Sequence, residues 1–510
     1  MPATPVPSSS PPRASLGELL ARAGIERPAG AGAEVLAKPV TGLAYDSRSV
    51  TPGAIFVAIR GARHDGASFA ADACDRGACA VIAENEPPAA TGVPWIRVAD
   101  ARAALAAAAA AFHRNPSRAL RVVGTTGTNG KTTTTYLLES IFEQSGIPTG
   151  RISTVAHRTG TGEERPAERT TPEAADVQAL LARMRDSGAK ACAMEVSSHA
   201  LALRRVDGVR FAAAVFTNLT RDHLDFHGDM ERYFAVKRLL FAGLPSDAPS
   251  VINADDEYGR RLLGDVARPV TYGLDAAADV SALRLAVSRN GISMDACSPA
   301  GKLRLRSPLL GRFNAYNVLA AAATAAALDV PARGIEAGVR ALDAVPGRMQ
   351  VVTGESDDVT VIVDFAHTDA ALRGTLEAIR ALAEGGLVTV FGCGGDREVS
   401  KRSLMGAVAA RLSDRIVLTS DNPRSEDPRA IIEDIQRGLP REGPPPWLAI
   451  VDREEAISRA VRDARPGDVV VVAGKGHEQH QVIGRRRVPF RDAAVARTAL
   501  ARRRAVAGAG

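Results

Sequence analysis

The chain has 510 residues, 45% of them apolar and 24% charged, with 64 Lys and Arg against 58 Asp and Glu for a net charge of +6. That balance belongs to a soluble globular protein too long for one core, so roughly two to four domains are expected. No apolar run is long enough for a membrane-spanning helix, and only 4% of residues are aromatic, which argues against a base-stacking nucleic-acid groove.

Residues 1–13, MPATPVPSSSPPR, lack an apolar stretch and a cleavage pattern, and read as a disordered extension rather than a signal peptide. The cysteines Cys74, Cys79, Cys192, Cys297 and Cys393 are odd in number and scattered. They predict neither a disulfide framework nor a zinc site, and point to a reduced, cytoplasmic protein.

Residues 14–113 carry short β-like runs, LAYDSRSVTPGAIFVAI, ACAVIAE and WIRV, and end in an alanine-rich helix. A small α/β domain is expected there, followed by the linker-like HRNPSR. Residues 114–345 alternate strands and helices, and the apolar strands ACAMEVS and AAAVFTNL predict a mostly parallel sheet. The Pro-Gly of VPGRMQ marks the next boundary, and 346–506 repeat the theme in VTVIVDFAH, LVTVFGCGG, RIVLTSDNP and VVVVAGKGH. Ligands of open parallel sheets bind beyond the carboxyl ends of strands, so the four loops after these runs should meet in one crevice. The dense basic run RTALARRRA reads as a solvated helix end.

The chemistry starts at VVGTTGTNGKTTTT, where a strand enters a glycine turn and then a helix. Gly127 and Gly130 let backbone N–H groups face an anion, Lys131 reaches the outer phosphates, and the Thr132 hydroxyl suits magnesium. Thr128, Asn129 and Thr133 complete the loop; Thr125 stands where the usual pattern has its first glycine. The next strand ends bring Glu195, Ser197, Ser198 and His199, then Asn218, Asp222, His223, Asp225 and His227. At strand ends beside a phosphate loop, Glu195 and His223 suit magnesium ions on phosphate oxygens.

In order, TGTNGKTTTT, MEVSSHAL, TNLTRDHLDFHG, GRFNAYN, GRM, VDFAHT, FGCGGDR, DNPR and GKGHE resemble the Mur ligases over roughly residues 40–500. The resemblance implies three domains: an N-terminal one for the UDP end of the substrate, a central P-loop ATPase and a C-terminal Rossmann-like domain. It implies an ATP-dependent amide ligase of peptidoglycan precursor synthesis. That enzyme would join meso-2,6-diaminopimelate to the D-Glu side chain of UDP-MurNAc-L-Ala-D-Glu through an acyl phosphate, as a monomer with two magnesium ions. A sister ligase adding L-lysine is the alternative.

By resemblance, Asp46, Ser47, Arg48, His64, Asp65 and Gly66 line the uridine pocket. Thr170, Thr171, Ser197 and Arg205 hold the muramoyl dipeptide, and Asn218, Asn314, Asn317, Arg348, Asp364 and His367 contact ATP. Lys237 matches a lysine carbamylated in the family, an anion that helps hold the second magnesium beside His223. Asp421, Asn422, Pro423, Arg424, Arg397, Gly474 and Glu478 would receive diaminopimelate, with Arg424 and Arg397 for its distal carboxylate and Glu478 for its ammonium. The family's AHTPDAL is HTDAAL here, with Asp369 in place of Pro and Phe365 in place of a common Tyr; Arg397, Lys401 and Arg402 persist although the surrounding KGKRP spelling does not.

Overall fold

The computed structural model describes residues 14–507 except 29–31, 62–63, 88–90, 161, 163, 300, 355 and 441–442, so the expected 1–13 extension lies outside the described residues. The N-terminal unit is a four-stranded parallel sheet in chain order, Gly42–Ala44, Ala54–Val57, Ala80–Ala83 and Trp95–Arg97. The helix Ala101–Phe112 covers one face, its first turn capped by the Asp100 carboxylate, which accepts from the N–H groups of Arg102 and Ala103. Its alanines let it lie close to the sheet, and they join Ile55, Val57 and Ile82 in one core.

The linker-like 113–119 segment is fixed by more than its ends. Arg114 and Asn115 both have positive φ, 59° and 49°. Arg185 donates to the His113 carbonyl, and the buried Ser117 hydroxyl accepts from Arg210 N.

The central unit is built on an eleven-stranded sheet. Its parallel heart runs Thr149–Ile152, Ala191–Glu195, Arg121–Thr126, Phe211–Phe216, Ser250–Asn253. Both edges turn antiparallel, through Ala156–Arg158 and Glu164–Pro166 on one side and a long meander, Val280–Ser288, Gly291–Ser298 and Gly301–Ser307, on the other. Strand–helix alternation does not foretell this meander. Its signal is the Asn290-Gly291 turn, with Gly291 at φ 111°, which closes a hairpin instead of a crossover. Helices Lys131–Gln144 and Arg312–Ala327 pack on the sheet through Leu137, Leu138, Ile141 and the apolar face of the second helix.

The C-terminal sheet has the order Gln350–Val351, Thr360–Asp364, Val469–Ala473, Leu387–Phe391, Arg415–Leu418, Trp447–Ala449. All but the first strand are parallel, and the four anticipated runs are neighbours, so their loops do emerge at one edge. The hairpin His480–Ile483 and Arg486–Pro489 stands beyond that edge. The basic run of the last helix, Asp492–Ala507, is only partly solvated. Arg503 pairs with Asp358 and donates to the carbonyls of Val461, Arg462 and Ala464, capping the end of the preceding helix.

Beneath the loops, Arg453 and Asp492 are fully buried and paired through two hydrogen bonds of 2.8 Å, and Arg453 also donates to the Ala473 carbonyl. Removing one partner leaves the other charge buried and unmatched. Asp492→Ala is expected to destabilise this unit by about 3–5 kcal/mol, read as a lowered urea midpoint of its unfolding transition.

Candidate active site

The phosphate loop leaves the strand Arg121–Thr126 and re-enters the chain as the helix beginning at Lys131. Gly127 and Gly130 take φ of 147° and 87°. A Cβ on Gly127 would lie 1.9 Å from Thr217 Oγ1, and one on Gly130 would lie 2.3 Å from Asn317 Oδ1. The loop is thus pressed between the Phe211–Phe216 strand end and the helix carrying Asn317. Asn218 clamps it from the side: Asn129 N donates to Asn218 Oδ1 at 3.0 Å, and Thr128 N to the Asn218 carbonyl at 2.8 Å. Asn314 and Asn317 are buried and bonded to each other, so they brace the loop through Gly130.

Lys131 is folded back: its Nζ donates to the carbonyls of Gly127 at 2.9 Å and Thr128 at 2.8 Å. Lys237, on the helix Met230–Ala242, is buried and donates to the same Gly127 carbonyl at 2.8 Å. Its Nζ sits 4.6 Å from the centre of the Tyr233 ring. Burial first, and then the Lys131 charge, hold the Lys237 pKa well below the usual lysine value. Among the described residues no carboxylate pairs with Lys237.

Glu195 ends its strand fully buried and is held by three hydrogen bonds from two threonines. Thr132 Oγ1 donates to Oε2 at 3.1 Å, Thr154 Oγ1 to the same oxygen at 3.0 Å, and Thr154 N to Oε1 at 2.8 Å. Thr133 is buried beside Thr132. Arg348 crosses from the C-terminal unit, donates to Thr132 Oγ1 at 3.2 Å and lies 4.4 Å above the Phe365 ring. Phe365 therefore takes the role of a flat support for this guanidinium, which needs no phenolic hydroxyl.

His223 follows Asp222 at φ 55° and faces His199, with ring centres 4.9 Å apart. Desolvation in the cleft pushes the His223 pKa down to about 4 against the pull of Asp222. His227 turns away, stacking on Tyr233 and bonding Ser198 Oγ at 2.9 Å. Across the cleft, His367 Nδ1 lies 2.8 Å from the Phe365 carbonyl. The neighbouring Asp364 carboxylate accepts from Met349 N, Ala366 N and Thr375 Oγ1, so it shapes the interdomain turn from within.

The residues expected at the dipeptide converge. Thr171 Oγ1 donates to the Glu195 carbonyl and accepts from Ser197 N, Thr170 Oγ1 lies 3.1 Å from Thr154 Oγ1, and Arg205 donates to the Thr171 carbonyl. Arg205 Nε is buried without a partner. The uridine set lies apart, at the carboxyl edge of the N-terminal sheet. Arg48 pairs with Asp46, Asp65 receives Ala67 N and Asn85 Nδ2, and His64 is exposed near Phe69. Ser47 is buried, and a Cβ on Gly66 would meet the Ile59 carbonyl at 2.6 Å.

At the C-terminal crevice, Arg424 is held at φ 52° by the hairpin: its N–H donates to the Val482 carbonyl and its carbonyl accepts from Gly484 N. The Arg424 guanidinium donates to the Gly395 carbonyl at 2.5 Å, and the nearby carboxylates Asp396, Asp421 and Glu478 do not pair with it. Glu426 pairs with Arg402, and Asp427 caps the helix Pro428–Gln436. Among the described residues neither Arg424 nor Arg397 has a carboxylate partner. Pro423 precedes Arg424, and Gly474 has φ 113° with Asp421 Oδ2 only 2.6 Å from where a Cβ would be.

Four groups important to this arrangement are absent from the sequence reading as site residues. Thr154 is hidden as an ordinary loop residue, although it follows a strand of the parallel sheet and so could be sought there, and Lys475 and His477 lie inside the GKGHE motif with no role assigned to them. Arg221 bridges units, bonding Asp369 at 2.8 Å and Glu398 at 3.2 Å. The substituted Asp369 is thereby an ion-pair partner, a role the family's proline has no group to fill.

A P-loop unit facing a second α/β unit, with Arg348 of the second bonded to Thr132 of the first, is the arrangement of a nucleotide-dependent enzyme. Residues 39–113 match the Mur ligase family, catalytic domain, residues 125–325 the Mur ligase middle domain, and residues 347–476 the Mur ligase, glutamate ligase domain. The chain belongs to the Mur ligase family. It is 46% identical over 489 residues to the UDP-N-acetylmuramoyl-L-alanyl-D-glutamate–2,6-diaminopimelate ligase of Solibacter usitatus, covering 95% of this chain and 98% of that one. The enzyme of the same name from Gloeobacter violaceus is 46% identical over 494 residues, covering 97% and 99%. A solved structure of a ligase with that name superposes with a TM-score of 0.68 at 33% identity, covering 97% of this chain and 100% of that one. The MurF ligase of Thermotoga maritima, solved with ADP, shares the fold with a TM-score of 0.62 at 19% identity, covering 91% and 96%.

The cramped glycines give a direct test of the phosphate loop. Gly130→Ala is expected to weaken ATP binding by about tenfold or more, measured by calorimetry. Gly146→Ala, also at positive φ but facing open space, is expected to leave ATP affinity unchanged.

Proposed function

We propose that this ligase adds meso-2,6-diaminopimelate to the D-Glu side-chain carboxylate of UDP-MurNAc-L-Ala-D-Glu. The observation that carries this reading is the pair Arg424 and Arg397, two guanidinium groups without carboxylate partners at the mouth of the crevice. Diaminopimelate brings a distal carboxylate to them; L-lysine does not. The names of the similar ligases support the same substrate.

The γ-phosphoryl group of ATP passes to the D-Glu carboxylate, giving an acyl phosphate and ADP. The amine of diaminopimelate attacks the acyl carbon, an amide forms, a proton leaves the nitrogen and inorganic phosphate departs. Lys131, released from the Gly127 and Thr128 carbonyls, has the reach of a phosphate partner, and Arg348 adds charge at Thr132. Thr171, Ser197 and Arg205 orient the dipeptide, and burial of the cleft keeps water from the acyl phosphate.

The donor set fits a hard cation: a carboxylate and a hydroxyl at Glu195 and Thr132, an imidazole at His223, and the amine of Lys237 buried against the Tyr233 ring. Magnesium would neutralise phosphate oxygens, one ion held by Thr132 and Glu195 and a second by His223 with Lys237 as a carbamate. Among the described residues no ready-made group of three His, Cys, Asp or Glu could hold a metal. Carbamylation of Lys237 supplies the missing carboxylate, and a neutral buried amine is the form that reacts with carbon dioxide. We place the reaction in the cytoplasm, carried out by a monomer. No helix among the described residues is long and apolar enough to cross a membrane.

Phosphate release from ATP with the UDP-dipeptide is expected to rise strongly with meso-diaminopimelate and little with L-lysine. Arg424→Ala is expected to lose about 2–5 kcal/mol of transition-state binding for diaminopimelate, as kcat/KM. Equal stimulation by both amines would overturn the pocket reading. For Lys237, labelled bicarbonate is expected to give a carbamate carbon resonance that Lys237→Arg lacks.

A further inference from the structure

Lys475 lies in GKGHE and is fully buried, yet the expected substrate contacts leave it without a task. Its ammonium group has three hydrogen-bond acceptors in place: Asn422 Oδ1 at 2.9 Å, Glu478 Oε2 at 2.6 Å and the His480 carbonyl at 2.8 Å. An ammonium has three N–H donors, so this one is saturated and has none left for a ligand. Asn422 ties the knot tighter, donating from Nδ2 to Glu478 Oε2 at 2.7 Å and accepting Val482 N on Oδ1 at 2.9 Å. Val482 in turn accepts from the backbone of Arg424. One buried cation therefore joins the loop of Asn422 and Arg424, the loop of Glu478 and the hairpin above them.

The charge balance follows. Glu478 does not stand free for a substrate ammonium, as its place in the sequence suggests: Oε2 is spent on Lys475 and Asn422, and Oε1 alone remains. Arg424 and Arg397 stay unmatched. Arg424 and Arg397 are the groups left to receive a ligand carboxylate, and an amine-only ligand end brings none to them.

We propose that Lys475 is a positioning residue that sets the amino-acid specificity of this ligase, by neutralising Glu478 and locking it in register with Arg424. The inference rests on the diaminopimelate reading above. Without Lys475, Glu478 becomes an unpaired anion able to accept a lone ammonium, and the loop bearing Arg424 loses its tie.

The test is steady-state kinetics of the full chain with meso-diaminopimelate and with L-lysine, for wild type, Lys475→Met, Glu478→Gln and the double variant. Lys475→Met is expected to raise KM for diaminopimelate about tenfold or more, to leave KM for ATP and for the UDP-dipeptide within about twofold, and to narrow the preference over L-lysine. Because Lys475 acts through Glu478, the double variant is expected to show less than the product of the two single effects. Lys475→Arg, which keeps a cation, is expected to recover part of the preference. An unchanged KM for diaminopimelate, or a parallel loss for all three substrates in a protein still stabilised by ATP, overturns the proposal. If Lys475→Met does not fold, Glu478→Gln breaks the same pair from its half-exposed side, and an unchanged diaminopimelate KM there overturns it equally. Wild type inactive with diaminopimelate would instead overturn the reading of the reaction itself.

Discussion

Two lysine side chains, Lys131 and Lys237, meet at one backbone carbonyl, that of Gly127, and the rest of the cleft is organised around this crowding. Like charges this close, with Lys237 fully buried, raise the free energy of the resting loop unless an anion arrives or one amine loses its proton. Arg348 adds a guanidinium through Thr132, which shares Glu195 with Thr154. Glu195 and Asp222 are the carboxylates that face Lys131, and a nucleotide triphosphate would bring further anionic oxygens to Lys131 and Arg348. The glycines that bring Gly127 into this position are enforced from behind by Thr217 and Asn317, so the crowding is built into the fold.

The same logic of shared partners joins the three units. Glu173 accepts Arg205 and Arg169 at 2.9 Å and lies 3.5 Å from Arg102 of the N-terminal helix. Tyr45 donates to Asp176 at 2.6 Å, and Arg204 pairs with Asp100 at 2.7 Å. The N-terminal sheet thus presents its strand ends to the region where Thr171, Ser197 and Arg205 gather, the order needed for a long substrate with a nucleotide at one end and a carboxylate at the other. On the opposite side, Arg221 holds Asp369 and Glu398 one residue away from Asp222 and two from His223.

Much of this was legible in the residues. The phosphate loop, the strand-end positions of Glu195 and His223, and the four loops of the last sheet follow from alternation and from the rule that parallel strands present their carboxyl ends to ligands. The antiparallel meander was not, because strand–helix alternation is a pattern of neighbours and the meander is decided by a two-residue turn. Lys237 and Lys475 illustrate a second limit. Local pattern makes a lysine a surface residue, and only three-dimensional packing reveals an ammonium sealed among carbonyls. Asp364 shows the reverse: motif position suggests a ligand contact, whereas its oxygens are taken by the turn beneath it.

Gly347, at φ 65°, has the His477 N–H 2.1 Å from where its Cβ would be. The turn between the central and C-terminal units therefore touches the loop that carries Glu478, with no space for even a methyl group. The turn and the loop are thus packed as one piece, and a side chain at position 347 would be felt at the loop of Glu478 as much as at the turn itself.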